Sequence, residues 1–261
     1  MNNNIRFELS FKNISQLDNK LNFCKLNNIK NINIPCKGLI KKDLFNSTIK
    51  YISKNYNEFN VTYHYSLYHQ YSKNKEKSYQ DFLDFVKSSQ TNKNFEILLV
   101  SGSNKKKNFD SVDVLAYLKK EKNLKVKLGI AYNPYLKKYY NISSERERFE
   151  RKISTGLINS IWFQYGTDIK VLQNEVTYLK NVAKEEKLNL FGSLFIPSKQ
   201  FIARFKFRPW KEVYISEKCL YALENFFDFT NDLVSFYKKN NITPVIESDF
   251  SSSEKLDSVY S

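Results

Sequence analysis

Eight short runs rich in β-branched and aromatic residues recur along this chain, separated by stretches long enough for helices, and that alternation limits the fold more than any other feature. The runs are Ile5–Ser10, Asn31–Pro35, Asn60–Ser66, Glu96–Ser101, Lys125–Tyr132, Ser160–Tyr165, Asn189–Ile196 and Thr243–Ser248. Between them the apolar period changes to about 3.6. Ile169, Leu172, Val176, Leu179 and Val182 share a face behind Asp168, a residue suited to capping a helix. Leu220, Leu223, Phe227, Val234 and Tyr237 line one long helix begun by Ser216, and Asp110 can cap a helix carrying Val112, Leu115 and Leu118. Eight strands alternating with helices is the count of an α/β chain closed into a single (β/α)8 barrel of the TIM type, and 261 residues is a usual size for one. An open doubly wound sheet is the competitor. It carries an early glycine-rich turn, whereas the first strand-to-helix turn here, Phe11-Lys-Asn-Ile, has no glycine. No linker or repeat interrupts the pattern, so one barrel domain is expected over 1–250. The Ser-rich tail 251–261 is too short for a full helix, so the last helix of the ring is expected to be missing or vestigial.

Composition narrows the class. With 41% hydrophobic and 16% aromatic residues and few Gly and Pro, the chain has ample core material and is neither disordered nor collagen-like. Three cysteines (Cys24, Cys36, Cys219) cannot build a disulfide framework and fit a reducing compartment. The opening residues contain no apolar signal segment and no run reaches about 18 apolar residues, so a cytoplasmic protein without a membrane span is expected. The net charge of +15 raises a nucleic-acid reading. The lysines are spread along the chain, however, as solvated helix faces and loops require.

Barrel active sites gather at the carboxyl ends of the strands. Those ends supply Glu8 and Ser10, Pro35 and Cys36, His64 and Ser66, Ser101 to Asn104, Tyr132 and Asn133, Gln164, Lys199 and Gln200, and Glu247 and Ser248. The set has two carboxylates, one imidazole and many neutral hydrogen-bonding groups, with no HExxH motif, paired CxxC, phosphate loop or Gly-x-Ser-x-Gly elbow. Acid/base work or an organic cofactor suits it better than a metal or a covalent serine. Glu8 is the leading candidate, because a carboxylate inside Ile-Arg-Phe-Glu-Leu-Ser-Phe on a buried first strand must be used or paired. Its bland alternative is a salt bridge to Arg6 or to a neighbouring strand. His64 reads either as a site residue or as a buried hydrogen-bonded histidine. Gln164 offers a donor and an acceptor for a heterocycle edge, or else ties down loop backbone.

Together these segments resemble the methylenetetrahydrofolate reductase family, flavoenzymes on a (β/α)8 barrel, over nearly the whole chain in order. Ile5-Arg-Phe-Glu-Leu-Ser-Phe-Lys12 is similar to the family's "FEFFPPK" stretch, which puts Glu8 on the catalytic glutamate. Tyr63-His-Tyr-Ser66 resembles "HLT" and puts His64 on a flavin-contacting histidine. Ile97-Leu-Leu-Val-Ser-Gly-Ser103 resembles "ILALRGD", placing Ser101, Gly102 and Ser103 at the flavin. Gly129-Ile-Ala-Tyr132 resembles "VAAYP", with Tyr132 at the flavin site. Arg151 and Lys152, then Gly156 and Gln164-Tyr-Gly-Thr-Asp168, are similar to "RK…AGA…TQFFFD". That match assigns Arg151 and Lys152 to the flavin phosphates and Gln164 to the folate. Phe195-Ile-Pro-Ser-Lys-Gln200 is similar to "GILPVSNFKQ", with Gln200 on the substrate side. Ser10, Phe11 and Lys12 stand where the family has its prolines, Ser101 and Ser103 replace an arginine and an aspartate, and Arg204–Trp210 and Glu212–Ser216 have no counterpart.

What the resemblance implies is a diverged oxidoreductase of one-carbon metabolism, on the route to methionine. Hydride would pass from NAD(P)H through FAD to 5,10-methylenetetrahydrofolate, giving 5-methyltetrahydrofolate, with Glu8 as proton donor. Two alternatives stand beside it. One is a flavin-free folate protein that holds or moves a one-carbon unit, with a methyltransferase or a second copy of the chain as partner. The other is a basic scaffold associated with nucleic acid.

Overall fold

The computed structural model describes residues 5–89, 94–101, 110–121, 124–136, 142–183 and 187–248. Eight parallel strands close into a barrel in the order of the sequence, each hydrogen-bonded to the next and β8 to β1. The strands are β1 (Arg6–Glu8), β2 (Asn31–Ile34), β3 (Asn60–Ser66), β4 (Phe95–Val100), β5 (Leu128–Tyr132), β6 (Ile158–Phe163), β7 (Asn189–Leu194) and β8 (Ile242–Ile246). Six of the connections carry one helix each: α1 (Ile14–Leu26), α2 (Lys42–Asn55), α3 (Lys75–Ser89), α4 (Ser111–Leu118), α5 (Ile142–Ile153) and α6 (Ile169–Val182). The β7–β8 connection carries three, α7 (Lys199–Phe207), α8 (Glu217–Tyr221) and α9 (Leu223–Asn240). The expected (β/α)8 barrel is therefore the observed fold. Among the described residues no helix follows β8; residues 251–261, assigned to the tail, lie outside them.

Local chemistry sets the helix starts. Asp110 accepts from the Val112 and Asp113 amides, Asp168 from Val171 and Ser198 from Phe201, each satisfying a donor the first helical turn leaves open. One expectation is corrected. The apolar face from Leu220 to Tyr237 belongs to two helices, because Ala222 is extended (φ −138°, ψ 145°) between α8, which Ser216 caps, and α9. Periodicity alone passes over a one-residue break that preserves the face.

Strand parity divides the core. Phe7, Ile32, Ile34, Tyr63, Ile97 and Ile130 pack outward against the helices. The lumen is filled at mid-height by Leu98, Trp162 and Val245, flanked by Val100 and Phe191, with the Trp162 and Phe191 rings stacked 4.0 Å apart. Gly192 faces the other way, towards α9. A Cβ there would overlap the ring of buried Tyr237, whose hydroxyl donates to the Ser193 carbonyl (2.9 Å). Gly192→Ala is expected to cost about 1–3 kcal/mol by overpacking, read as a lower denaturant midpoint with an unchanged slope. A midpoint equal to wild type would show that Tyr237 yields without cost.

Candidate active site at the barrel mouth

The lumen has a polar floor beneath the Trp162–Phe191 layer. Arg6 enters it from the first position of β1, 7% exposed. Its Nε donates to Asn33 Oδ1 (2.8 Å), and its Nη2 reaches the carbonyls of Ile32 and Asn60 and the hydroxyl of Thr62 (2.7 Å). Thr62 passes the chain on to Glu96 (3.1 Å), which also accepts from Ser160 (2.7 Å), and Ser160 in turn accepts from the Trp162 indole N–H. The guanidinium lies 5.7 Å from the Trp162 and Phe191 ring centres. Burial lowers its pKa to about 10 despite the nearby Glu96 carboxylate, so it stays charged at neutral pH.

At the opposite, carboxyl end, β1, β3 and β8 and the loop after β2 bring four ionisable groups together. Lys37 Nζ lies 2.5 Å from Glu8 Oε1 and 3.8 Å from Glu247 Oε2. His64 Nδ1 is 3.7 Å from Glu8 Oε2, and its Nε2 is 3.0 Å from Asn33 Nδ2. Ser193 Oγ donates to the second Glu247 oxygen. The Glu8 side chain is 3% exposed and Lys37 is about half exposed, so the cluster opens to solvent on the lysine side.

The groups set one another's protonation. Burial pushes the Glu8 carboxyl up, but Lys37 and the neighbouring His64 together outweigh it and hold Glu8 below the usual carboxylate range. Burial also pushes Glu247 up, the Glu8 charge adds to this, and Lys37 is too distant to cancel it; Glu247 sits at about 7. Burial drives His64 down to about 4, with Lys37 and Arg6 adding to the effect against the pull of Glu8. Partial desolvation of the Lys37 ammonium between the carboxylates acts downward, but Glu8 and Glu247 outweigh it and raise Lys37 above an ordinary lysine, although the rest of its side chain is half exposed. At neutral pH the mouth thus holds an anionic Glu8, a cationic Lys37, a neutral His64 and a half-protonated Glu247. Lys37 is a counter-ion and not a nucleophile, and Glu247 is the group able to exchange a proton.

The expected site residues divide accordingly. Glu8 and His64 meet. The bland reading of Glu8 is half right, since it is paired, but with Lys37; Arg6 points to the floor. Gln164 follows β6 in phase with lumen-facing Ser160 and Trp162 and is half buried, whereas Gln200 is exposed in the first turn of α7. Tyr132 departs from expectation: it faces the helix layer, packs on Phe149 and Phe163, and donates to Glu175, which Arg146 also holds. Arg151 and Lys152 also depart from it, lying in the last turn of α5 next to the loop that enters the amino end of β6, the end of the barrel away from the mouth. Ser101 exchanges hydrogen bonds with Ser111 at the start of α4. Gly102 and Ser103 lie outside the described residues. Of the described residues assigned to a flavin, His64 joins the Glu8–Lys37–Glu247 cluster, while Ser101 stands half-buried just past the carboxyl end of β4.

Lys37 was missed because it reads as one of many dispersed lysines. Its only local signal is its place after a strand end and before Gly38, whose φ of 57° turns the chain there. Glu247 was visible as a strand-end carboxylate. The stretches without a counterpart, Arg204–Trp210 and Glu212–Ser216, lie in the β7–β8 connection, and residues 212–216 are tied to the carboxyl ends of β5 and β6. Asn133 Nδ2 donates to the Glu212 carbonyl (2.8 Å), Thr167 N to the Tyr214 carbonyl (3.0 Å) and Ser216 N to Thr167 Oγ1 (2.6 Å), and Tyr214 stacks on Tyr135. Trp210 packs on Phe195 and Phe201 beyond β7.

The architecture and its mouth define a (β/α)8 barrel with a buried carboxylate–lysine cluster at the carboxyl ends of its strands. No protein-family model matches the chain, and no curated protein matches its sequence. Among solved structures it is similar to an uncharacterized protein from Clostridium thermocellum that binds two copies of 5-methyl-5,6,7,8-tetrahydrofolic acid. The identity is 12% and the TM-score 0.61, over 97% of this chain and 91% of that one. It is also similar to active domain 2 of a thermostable chitinase from Pyrococcus furiosus, complexed with chito-oligosaccharides, at 12% identity and a TM-score of 0.54 over 94% and 83%. At such identities the likeness is one of fold. Two barrels with such different ligands also show that the ligand is set by the site and not by the fold. No helix among the described residues is long and apolar enough to cross a membrane.

Proposed function

We propose that this chain binds a reduced folate in the barrel mouth, with Glu8 as the fixed acceptor and Glu247 as the proton-exchanging group. The observation that carries this is the Glu8–Lys37–Glu247–His64 cluster at the carboxyl ends of the strands. The folate-binding barrel from Clostridium thermocellum, which shares the fold along nearly the whole chain, supports the choice of ligand. The chemistry agrees. A pterin ring presents an amino group and a ring N–H side by side, a pair of donors that an anionic carboxylate accepts. Glu8 is held in that form. Opening or closing a one-carbon bridge between ring nitrogens needs a proton delivered or removed near neutral pH, and Glu247 is poised for that.

Of the described residues assigned to a flavin, only His64 belongs to the ionisable cluster, and no step is routed through FAD. The reading is that of a folate-binding or one-carbon protein, and hydride transfer from NAD(P)H through FAD is its redox variant. Calorimetric titration with 5-methyltetrahydrofolate tests the binding: heat is expected with wild type, and Glu8→Gln is expected to weaken affinity roughly 10–100-fold, the worth of a buried charged hydrogen bond. No heat with wild type sinks the proposal. Flavin absorbance in the purified protein would return the redox variant.

A further inference from the structure

The geometry points to Arg6 and Asn33 as positioning residues that fix His64 as an Nδ1–H donor beside the Glu8 carboxylate, so that the mouth offers an acceptor and a donor side by side. The donors and acceptors of each side chain fix the orientation. Arginine has donors and no acceptor, so the Asn33 atom 2.8 Å from Arg6 Nε is the amide oxygen. The Asn33 atom 3.0 Å from His64 Nε2 is then the amide nitrogen, which carries only hydrogens. Nε2 must accept, and a neutral imidazole that accepts at Nε2 carries its proton on Nδ1. Nδ1 is the nitrogen that faces Glu8. At 3.7 Å the two are too far apart for a hydrogen bond, so the N–H is not consumed by the carboxylate. Arg6 is itself held by Thr62 and two backbone carbonyls, so the chain of orientation starts in the barrel floor and ends in the mouth.

This pairing states what a ligand must carry: an N–H for Glu8 and, next to it, a carbonyl or ring nitrogen acceptor for His64 Nδ1–H. That is the edge of a cyclic amide. The inference deepens the folate reading and rests on it for the ligand, since a pterin ring has such an edge, but the tautomer itself does not depend on any ligand.

Long-range proton–nitrogen NMR on the full chain tests it directly. The chain has two histidines, and His69→Gln assigns the signals. His64 is expected to show a pyrrole-type Nδ1 and a pyridine-type Nε2 at pH 7. Asn33→Asp, which turns the partner of Nε2 into an acceptor, is expected to move the proton to Nε2 or to add one there. A wild-type His64 carrying its proton on Nε2 overturns the inference, and so does an Asn33→Asp spectrum unchanged from wild type. If the variant does not fold, the wild-type spectrum decides. Adding pterin is expected to shift the Nδ1–H proton downfield without changing the tautomer, and a switch to Nε2–H also overturns the inference. The expected tautomer together with no response to pterin or methyltetrahydrofolate overturns the folate reading alone.

Discussion

Replacing Arg6 with alanine is expected to destabilise the protein by about 3–5 kcal/mol, the cost of removing one partner from a buried charged network. The Tm would fall by roughly 10 °C for a chain of this size. The loss comes from several sources at once. Asn33 Oδ1, Thr62 Oγ1 and two strand carbonyls lose a donor, and Glu96 loses the nearby cation. A void also opens beside the stacked Trp162 and Phe191. Arg6→Lys is expected to recover only part of this, because one ammonium cannot donate from Nε to Asn33 and from Nη2 to three further acceptors. Thermal melts at pH 7 check both. A Tm for Arg6→Ala within 2 °C of wild type would mean that the floor network adds nothing to stability. The polar floor is also where the His64 orientation begins, so Arg6→Ala is expected to loosen the mouth from a distance.

The second large effect is a pH dependence hidden in the wild type. Glu247 is raised to about 7 from an ordinary 4.5, so the folded protein binds that proton more tightly than the unfolded chain does. Its contribution is greatest below pH 4.5 and is lost as pH rises through 7. His64 is lowered to about 4 from 6.5, so its contribution is present above pH 6.5 and is lost as pH falls through 4. Each amounts to about 3 kcal/mol, and the two run in opposite directions over largely the same range. They nearly cancel between pH 4.5 and 6.5. Glu247→Gln is expected to remove one side and expose the other, so that the Tm falls by roughly 5–10 °C on acidification from 6.5 to 4.5. His64→Gln is expected to show a rise over that range. Melts of both variants across this range decide it: if the two curves slope the same way, the protonation states assigned to the mouth are wrong.

These expectations turn on residues that differ in how openly the sequence displayed them. Glu8 and His64 could be placed at the mouth because each stands at the end of an apolar run where a charged or polar group has to be accounted for. Tyr132 could not be placed, because a strand buried on both faces gives no sign of which alternate positions look inward. Gly129-Ile-Ala-Tyr132 fits either phase, and only the closed sheet turns Tyr132 towards Glu175. Arg151 and Lys152 match a motif, but a helix that returns antiparallel to its strand carries its last turn to the opposite end of the barrel.

From its order of residues alone, this chain declares the eight-fold alternation, the closure of one barrel and the two mouth groups, Glu8 and His64, because period and burial are local properties written into short windows. The counter-ion of Glu8, the proton on Glu247, the outward turn of Tyr132 and the tie of 212–216 to β5 and β6 were decided by tertiary structure. Each depends on groups from distant segments meeting across the closed sheet, where one ammonium lies 2.5 Å from Glu8 and 3.8 Å from Glu247, and burial together with the Glu8 charge makes Glu247 the carboxyl that is raised.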